Sequence, residues 1–304
     1  MSNKKIPAVI ITAVLVLLLA VSCASEQPEQ EQNLTVAVSI QPQKSFVERI
    51  AGDLVETVVM VPPGQSPTTY EPTTGQLQQL SKSAVFFTIG VPFEQSFIPL
   101  LKQNLPELRI TATDTATPKR RFATPHSHGE DEHEEDEQEH EEGAIDPHIW
   151  MSPISVISQA EIMAEVLAGI DPEHAQEYYD NLESFTAELE QLDQELSQLL
   201  SPLAGETLLV YHPAFGYFAD RYGLNQKAVE TGGKEPSPRQ LEQLVEEARE
   251  DEVSVIFVQP EFDASSARVI ADAVGAQVVT MGSLEENYVE NLRALAQKLK
   301  ELEL

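Results

Sequence analysis

From Leu34 onward, short apolar and β-branched runs alternate with segments whose apolar residues recur every three or four positions. That rhythm is the mark of βα units feeding a mainly parallel sheet. It predicts strands at Leu34–Ser39, Val55–Val61 and Ala84–Ile89 and a short one near Arg109, with helices at Gln43–Ala51, Gln76–Ser81 and Phe93–Gln103. It returns with strands at Thr207–Tyr211, Gln226–Val229, Val253–Val258 and Gln277–Thr280, and helices at Ala214–Tyr222, Pro238–Glu250, Ala264–Val274 and Tyr288–Leu302. Between the two sets, Asp171-Pro172 is a helix start, an N-cap followed by Pro at the first helical position. Leu182, Phe185, Leu189, Leu192, Leu196 and Leu199 then follow at spacings of 3, 4, 3, 4 and 3. This stripe predicts one amphipathic helix from about Glu173 to Leu200, roughly 42 Å long at ~1.5 Å per residue. The expected fold is α/β: two Rossmann-like (βα)4 lobes, residues 34–170 and 203–304, joined by one long rigid spine helix, 171–202, with a cleft between the lobes. A dimerisation coiled coil would show the same seam, but only about four heptads are present and folded lobes flank them. A rigid spine permits small rocking and disfavours wide hinge closure.

The first residues follow another pattern. Lys4 and Lys5 precede an apolar run from Ala8 to Val21, interrupted only by Thr12, that leads into Ser22-Cys23. A run of fourteen residues falls short of the ~20 that span a bilayer, so the segment predicts a cleavable export signal over residues 1–22. It resembles a bacterial lipoprotein signal, which implies that Cys23 becomes the lipidated first residue; ordinary secretion with a free Cys23 is the plainer alternative. Residues 23–33 are polar and aperiodic, as expected of a tether. Cys23 is the single cysteine, so no intramolecular disulfide forms.

Charge adds a further feature. Lys and Arg number 19 against 50 Asp and Glu, a net charge of −31. Phosphate binding requires the opposite balance, so nucleic acid is excluded as the default partner. Ten of the thirteen residues from Glu130 to Glu142 are acidic, and His126, His128, His133 and His140 lie in or just before that run. Like charges at this density, with no apolar residue to pack, predict a disordered surface loop over 117–143. Imidazole and carboxylate together suit Zn2+ and related ions, so the loop reads as an accessory metal collector, against the blander reading of a solubilising charge run.

Three blocks carry a wider resemblance: Pro63-Gly64-Gln65-Ser66-Pro67-Thr68-Thr69-Tyr70-Glu71-Pro72, Asp146-Pro147-His148-Ile149-Trp150-Met151-Ser152-Pro153, and Tyr211-His212-Pro213-Ala214-Phe215-Gly216-Tyr217-Phe218. With Gly233-Lys234-Glu235-Pro236-Ser237-Pro238 and Phe257-Val258-Gln259-Pro260-Glu261-Phe262, in order along nearly the whole mature chain, they resemble the zinc/manganese solute-binding lipoproteins of ABC importers, the cluster A-I family. The resemblance implies capture of a divalent ion, Zn2+ foremost and Mn2+ second, for an ABC permease and its ATPase subunit. It implies a monomeric, lipid-anchored protein outside the cytoplasm, without catalysis. It implies His148 and His212 as metal ligands. The residues agree independently: His212 directly follows a strand, at the carboxyl edge where open α/β sheets bind ligands, and His148 leaves a Pro-bounded turn. His174, in the first turn of the spine with no motif around it, is expected to be merely solvated.

Two positions depart from the family pattern. Thr68 stands where a histidine is usual and Gly282 where an aspartate is usual, so two of the four customary ligands are lost. Glu71, Glu261 or a loop histidine is then expected to complete the site. Two other readings follow if none does: a surface adhesin or metal-buffering lipoprotein with a degenerate cleft, or a metal-assisted hydrolase. The chain has no HExxH, no GxSxG and no Gly-rich phosphate loop to support the hydrolase.

Overall fold

The computed structural model describes residues 33–122, 143–230 and 233–302; the signal segment, Cys23 and the four loop histidines lie outside them. The first sheet is built from β1 (Leu34–Val38), β2 (Val55–Val59), β3 (Val85–Thr88) and β4 (Arg109–Ala112), all parallel, in the order β2-β1-β3-β4. The second, from β5 (Thr207–Val210), β6 (Asn225–Ala228), β7 (Val255–Val258) and β8 (Gln277–Thr280), repeats that order as β6-β5-β7-β8. Each sheet therefore reverses its direction of growth between its two central strands, the switch point at which open α/β sheets leave a crevice at their carboxyl edge.

Around the first sheet lie α1 (Gln41–Ala51), α2 (Thr74–Leu80) and α3 (Phe93–Asn104); around the second lie α6 (Gly216–Tyr222), α7 (Pro238–Glu250), α8 (Ser265–Val274) and α9 (Tyr288–Glu301). Between them run α4 (Pro153–Ile170) and α5 (Ala175–Leu200). The spine stripe is present as expected, with Phe185, Leu189, Leu192 and Leu196 buried, and a 3-10 turn at Pro172–His174 precedes it. His174 is not merely solvated: its Nδ1 lies 2.7 Å from Asp171 Oδ2, which also accepts from the Tyr178 hydroxyl at 2.8 Å, fixing that turn.

Helix α4 is absent from the sequence expectation. Its apolar residues fall on several faces, so no single stripe announces it, and Val156, Ala160, Met163 and Leu167 pack inward beside α5. The spine is thus a pair of helices. The second sheet shows why the halves are not independent. Leu208, Val210, Val255 and Phe257 point into the large core that includes the first sheet and the spine, while Leu209, Ile256 and Val258 pack with α8 in a smaller cluster. One apolar core running through both sheets resists wide opening. Polar ties add to it: buried Asp193 of α5 accepts from Arg221 at 2.5 and 2.7 Å and from Tyr222 at 3.2 Å, both at the end of α6.

The predicted loop 117–143 is ordered at both ends. Arg121 and Ile145 form an antiparallel bridge, Phe122 N donates to Ala144 O and Asp146 N to Arg120 O, and Thr117 is buried. Backbone pairing at the stem satisfies groups that the charge pattern alone left unassigned.

Glu94, at the start of α3, lies at the switch point of the first sheet, accepting from Ser39 Oγ at 2.5 Å, Ile89 N at 2.9 Å and Gly90 N at 2.8 Å. Burial outweighs these bonds and raises its pKa to about 7. The folded state then holds a proton that the unfolded chain has released, so stability is fullest below the ordinary glutamate pKa and declines as pH rises towards 7. Thermal melts from pH 4.5 to 8 should show this loss, on the order of 2–3 kcal/mol, in the wild type and not in Glu94→Gln.

Candidate metal site

His212 lies two residues beyond β5. Its backbone N–H donates to Gln259 Oε1 at 3.2 Å, and Gln259 Nε2 donates to His212 O at 2.7 Å. Gln259 follows β7, so the neighbouring central strand fixes the histidine's backbone. Glu230, following β6, pairs with His212 Nδ1, and the Phe262 ring stacks on the imidazole with centroids 4.7 Å apart. His148 comes from the connection leading into α4. Asp146 Oδ1 accepts from His148 N at 2.9 Å and lies 2.7 Å from its Nδ1, so one carboxylate oxygen sets both backbone and ring.

These two independent scaffolds bring the rings together: His148 Nε2 and His212 Nε2 are 3.1 Å apart, with both residues buried. In the neutral tautomers whose Nδ1–H donates to these carboxylates, each Nε2 presents a lone pair towards the other. That is repulsive unless a cation lies between them. Two nitrogens ~2.0–2.1 Å from a tetrahedral zinc ion stand about 3.3–3.4 Å apart, close to the observed separation. Burial, followed by the charge of His148, lowers the His212 pKa against the opposing bond from Glu230, which favours the neutral ligand form. Burial would raise the Asp146 pKa, but the charge and hydrogen bonds of His148 and the bond from Arg120 hold it below the usual carboxylate range.

Thr68 lines the same cleft as His148 and His212, as the sequence blocks imply, with Trp150, Glu261 and Ser283 also on its wall. Glu71 is exposed and lies off that wall, past the turn that carries Thr68. Glu261 Oε2 is buried without a hydrogen-bond partner, and burial, with the nearby charge of Glu285, raises its pKa. Gly282 has a specific neighbour. A Cβ placed on it would lie 2.3 Å from Glu285 Oε1, so the Glu285 carboxylate occupies the space a side chain at 282 would fill. Among the described residues no three His, Cys, Asp or Glu side chains stand close enough to hold an ion as placed. A third donor from among the described residues therefore requires a side-chain rotation.

Asp146, Glu230 and Glu285 were not found from the sequence. Asp146 sits two residues from His148 and was quoted only as motif; Glu230 is eighteen residues from His212 and meets it only because β6 lies beside β5.

Two lobes of one strand order, a helical spine between them and a buried histidine pair, His212 beyond β5 and His148 from the connection into α4, define a two-lobed binding protein with a cation-suited cleft. Residues 36–302 match the family described as "ZnuA: Zinc-uptake complex component A periplasmic", and the chain belongs to that family. It is similar to a crystal structure of ZnuA, with 36% identity and a TM-score of 0.80 over 89% of this chain and 99% of that one. It is also similar to the zinc-binding lipoprotein AdcA of Streptococcus pneumoniae (strain ATCC BAA-255 / R6), 25% identical over 95% of this chain and spanning 60% of that relative's length. The manganese-binding lipoprotein MntA of Halalkalibacterium halodurans is 23% identical over 92% of each chain.

Carboxylates that orient metal-binding histidines typically matter 10–100-fold in affinity. Asp146→Asn and Glu230→Gln should each weaken zinc binding by about that factor in a chelator-competition titration; unchanged affinity would show that the rings are oriented by packing alone.

Proposed function

We propose that the chain captures a divalent metal ion outside the cytoplasm, Zn2+ in preference to Mn2+, and passes it to the permease of an ABC importer driven by its ATPase subunit. Binding and release constitute the function, without catalysis. The observation that carries this reading is the pair of facing Nε2 atoms 3.1 Å apart, each ring anchored at Nδ1 by a carboxylate. Imidazole nitrogens favour zinc over manganese, which prefers oxygen donors. His148 and His212 are the fixed ligands. Glu261 is the carboxylate of the cleft wall, and Glu285, exposed beside Gly282 in the adjoining pocket that Glu261 also lines, rotates in as the second carboxylate donor. Thr68 contributes no strong donor.

The histidines His126, His128, His133 and His140 serve as an accessory collector in this reading, and Cys23 carries the lipid that holds the protein, as a monomer, at the membrane. The family membership and the lipoprotein relatives support an extracytoplasmic location.

Zinc titration of the mature protein tests the cleft. His148→Ala and His212→Ala should each weaken binding more than about 100-fold, beyond the range of an orienting carboxylate. Glu285→Gln should weaken it about tenfold, and Thr68→His should tighten it. Equal affinity in both histidine variants and the wild type would dismiss the cleft as the metal site. Cys23→Ser should move the protein from the membrane fraction to the soluble fraction; retention in the membrane would dismiss the anchor.

A further inference from the structure

Behind His148 stands a chain of charges that crosses between the lobes. Asp146 gives one carboxylate oxygen to His148 and the other to Arg120, whose Nη1 donates to Asp146 Oδ2 at 2.5 Å. The Arg120 Nε donates to Asp220 Oδ2 at 2.9 Å, and Asp220 belongs to α6, the helix that follows His212. Tyr217 of the same helix reinforces the contact: its hydroxyl accepts from Arg120 N at 3.1 Å and donates to Asp146 O at 3.3 Å, and its ring lies 5.8 Å beneath the guanidinium. One side chain thus holds the carboxylate that aims the first histidine and, at the same time, the helix that leads from the second.

Gly216 shows how closely this contact is fitted. A Cβ placed there would lie 1.6 Å from Arg120 Nη1, 2.4 Å from its Cζ and 2.7 Å from Asp146 Oδ2. Any side chain at 216 would displace the guanidinium from the Asp146 carboxylate. Gly216 does not have a positive φ and is the first residue of α6, so its backbone does not call for glycine; the arginine does.

Building on the cleft reading above, we infer that Arg120 is a positioning residue that latches the His148 arm to α6 and thereby sets how slowly the bound ion is released. With the latch closed, the two imidazoles keep their separation and the ion dissociates only when the pair parts. With it broken, Asp146 loses its second anchor and His148 swings more freely, while the approach of an ion to the cleft is unaffected. The role needs a guanidinium, because a planar fork reaches two carboxylates at once and an ammonium is a single point charge.

Stopped-flow release of Zn2+ from the mature protein into a chromophoric chelator, with the association rate measured alongside, tests this. Arg120→Gln and Gly216→Ala should each speed release about tenfold or more with the association rate unchanged within about twofold, in line with orienting partners. Arg120→Lys should not restore the wild-type rate. Asp220 is exposed, so Asp220→Asn leaves folding intact and should also speed release by severing only the inter-lobe arm. Melting temperatures control for general destabilisation: Gly216→Ala improves helix propensity and still should release faster. Wild-type release rates in Gly216→Ala, or in Asp220→Asn, would overturn the latch. If instead His148→Ala leaves wild-type zinc binding intact, the cleft reading fails and not the latch alone.

Discussion

Two imidazole nitrogens held 3.1 Å apart, each with its lone pair turned towards the other, form the constraint around which this molecule is organised. Left to themselves, neutral rings would rotate away from that arrangement. They cannot, because the Nδ1 of each is held by a carboxylate from its own side of the cleft, Asp146 for His148 and Glu230 for His212. The protein thus maintains locally unfavourable electrostatics that a cation relieves, and the free energy of that relief is available as binding affinity. Such preorganisation works only on a scaffold that does not yield.

The fold supplies that scaffold. Both sheets have the same parallel order, and segments that follow their central strands, Val91 and Pro92 after β3 and His212 after β5, line the cleft. A single core runs from the first sheet through α4 and α5 to the inner face of the second. Trp150 adds a direct tie: buried next to His148, it donates from Nε1 to Ser283 O at 2.7 Å, joining the segment that carries the first histidine to the segment containing Gly282. A core of this continuity disfavours opening on the scale of whole lobes. Of the two carboxylates proposed to complete the sphere, Glu261 lies on the histidine cleft's wall, and Glu285 stands exposed beside Gly282, lining the adjoining pocket with Glu261.

Much of the architecture was legible in the sequence because period-2 and period-3.6 patterns report burial directly. All eight strands and the spine appear within a few residues of expectation. Helix α4 escaped because it is apolar on several faces, so it carries no stripe. The two histidines were legible through their motif blocks, and Thr68 does line the cleft. What was not legible is whatever depends on adjacency across strands or lobes. Glu230 reaches His212 through the β5–β6 pairing, Arg120 reaches Asp220 a hundred residues away, and the Glu285 carboxylate stands beside Gly282 from three residues downstream. Sequence spacing encodes none of these. Glu71, by contrast, looked suitable by chemistry alone and is turned to solvent.

The most direct test of the central constraint is long-range 1H–15N correlation NMR of the His148 and His212 rings, before and after one equivalent of Zn2+. Both apo rings should carry their proton on Nδ1, with Nε2 unprotonated, and zinc should shift both Nε2 resonances together while each Nδ1 keeps its proton. Rings protonated at Nε2, or a zinc-saturated protein in which neither Nε2 resonance moves, would contradict it.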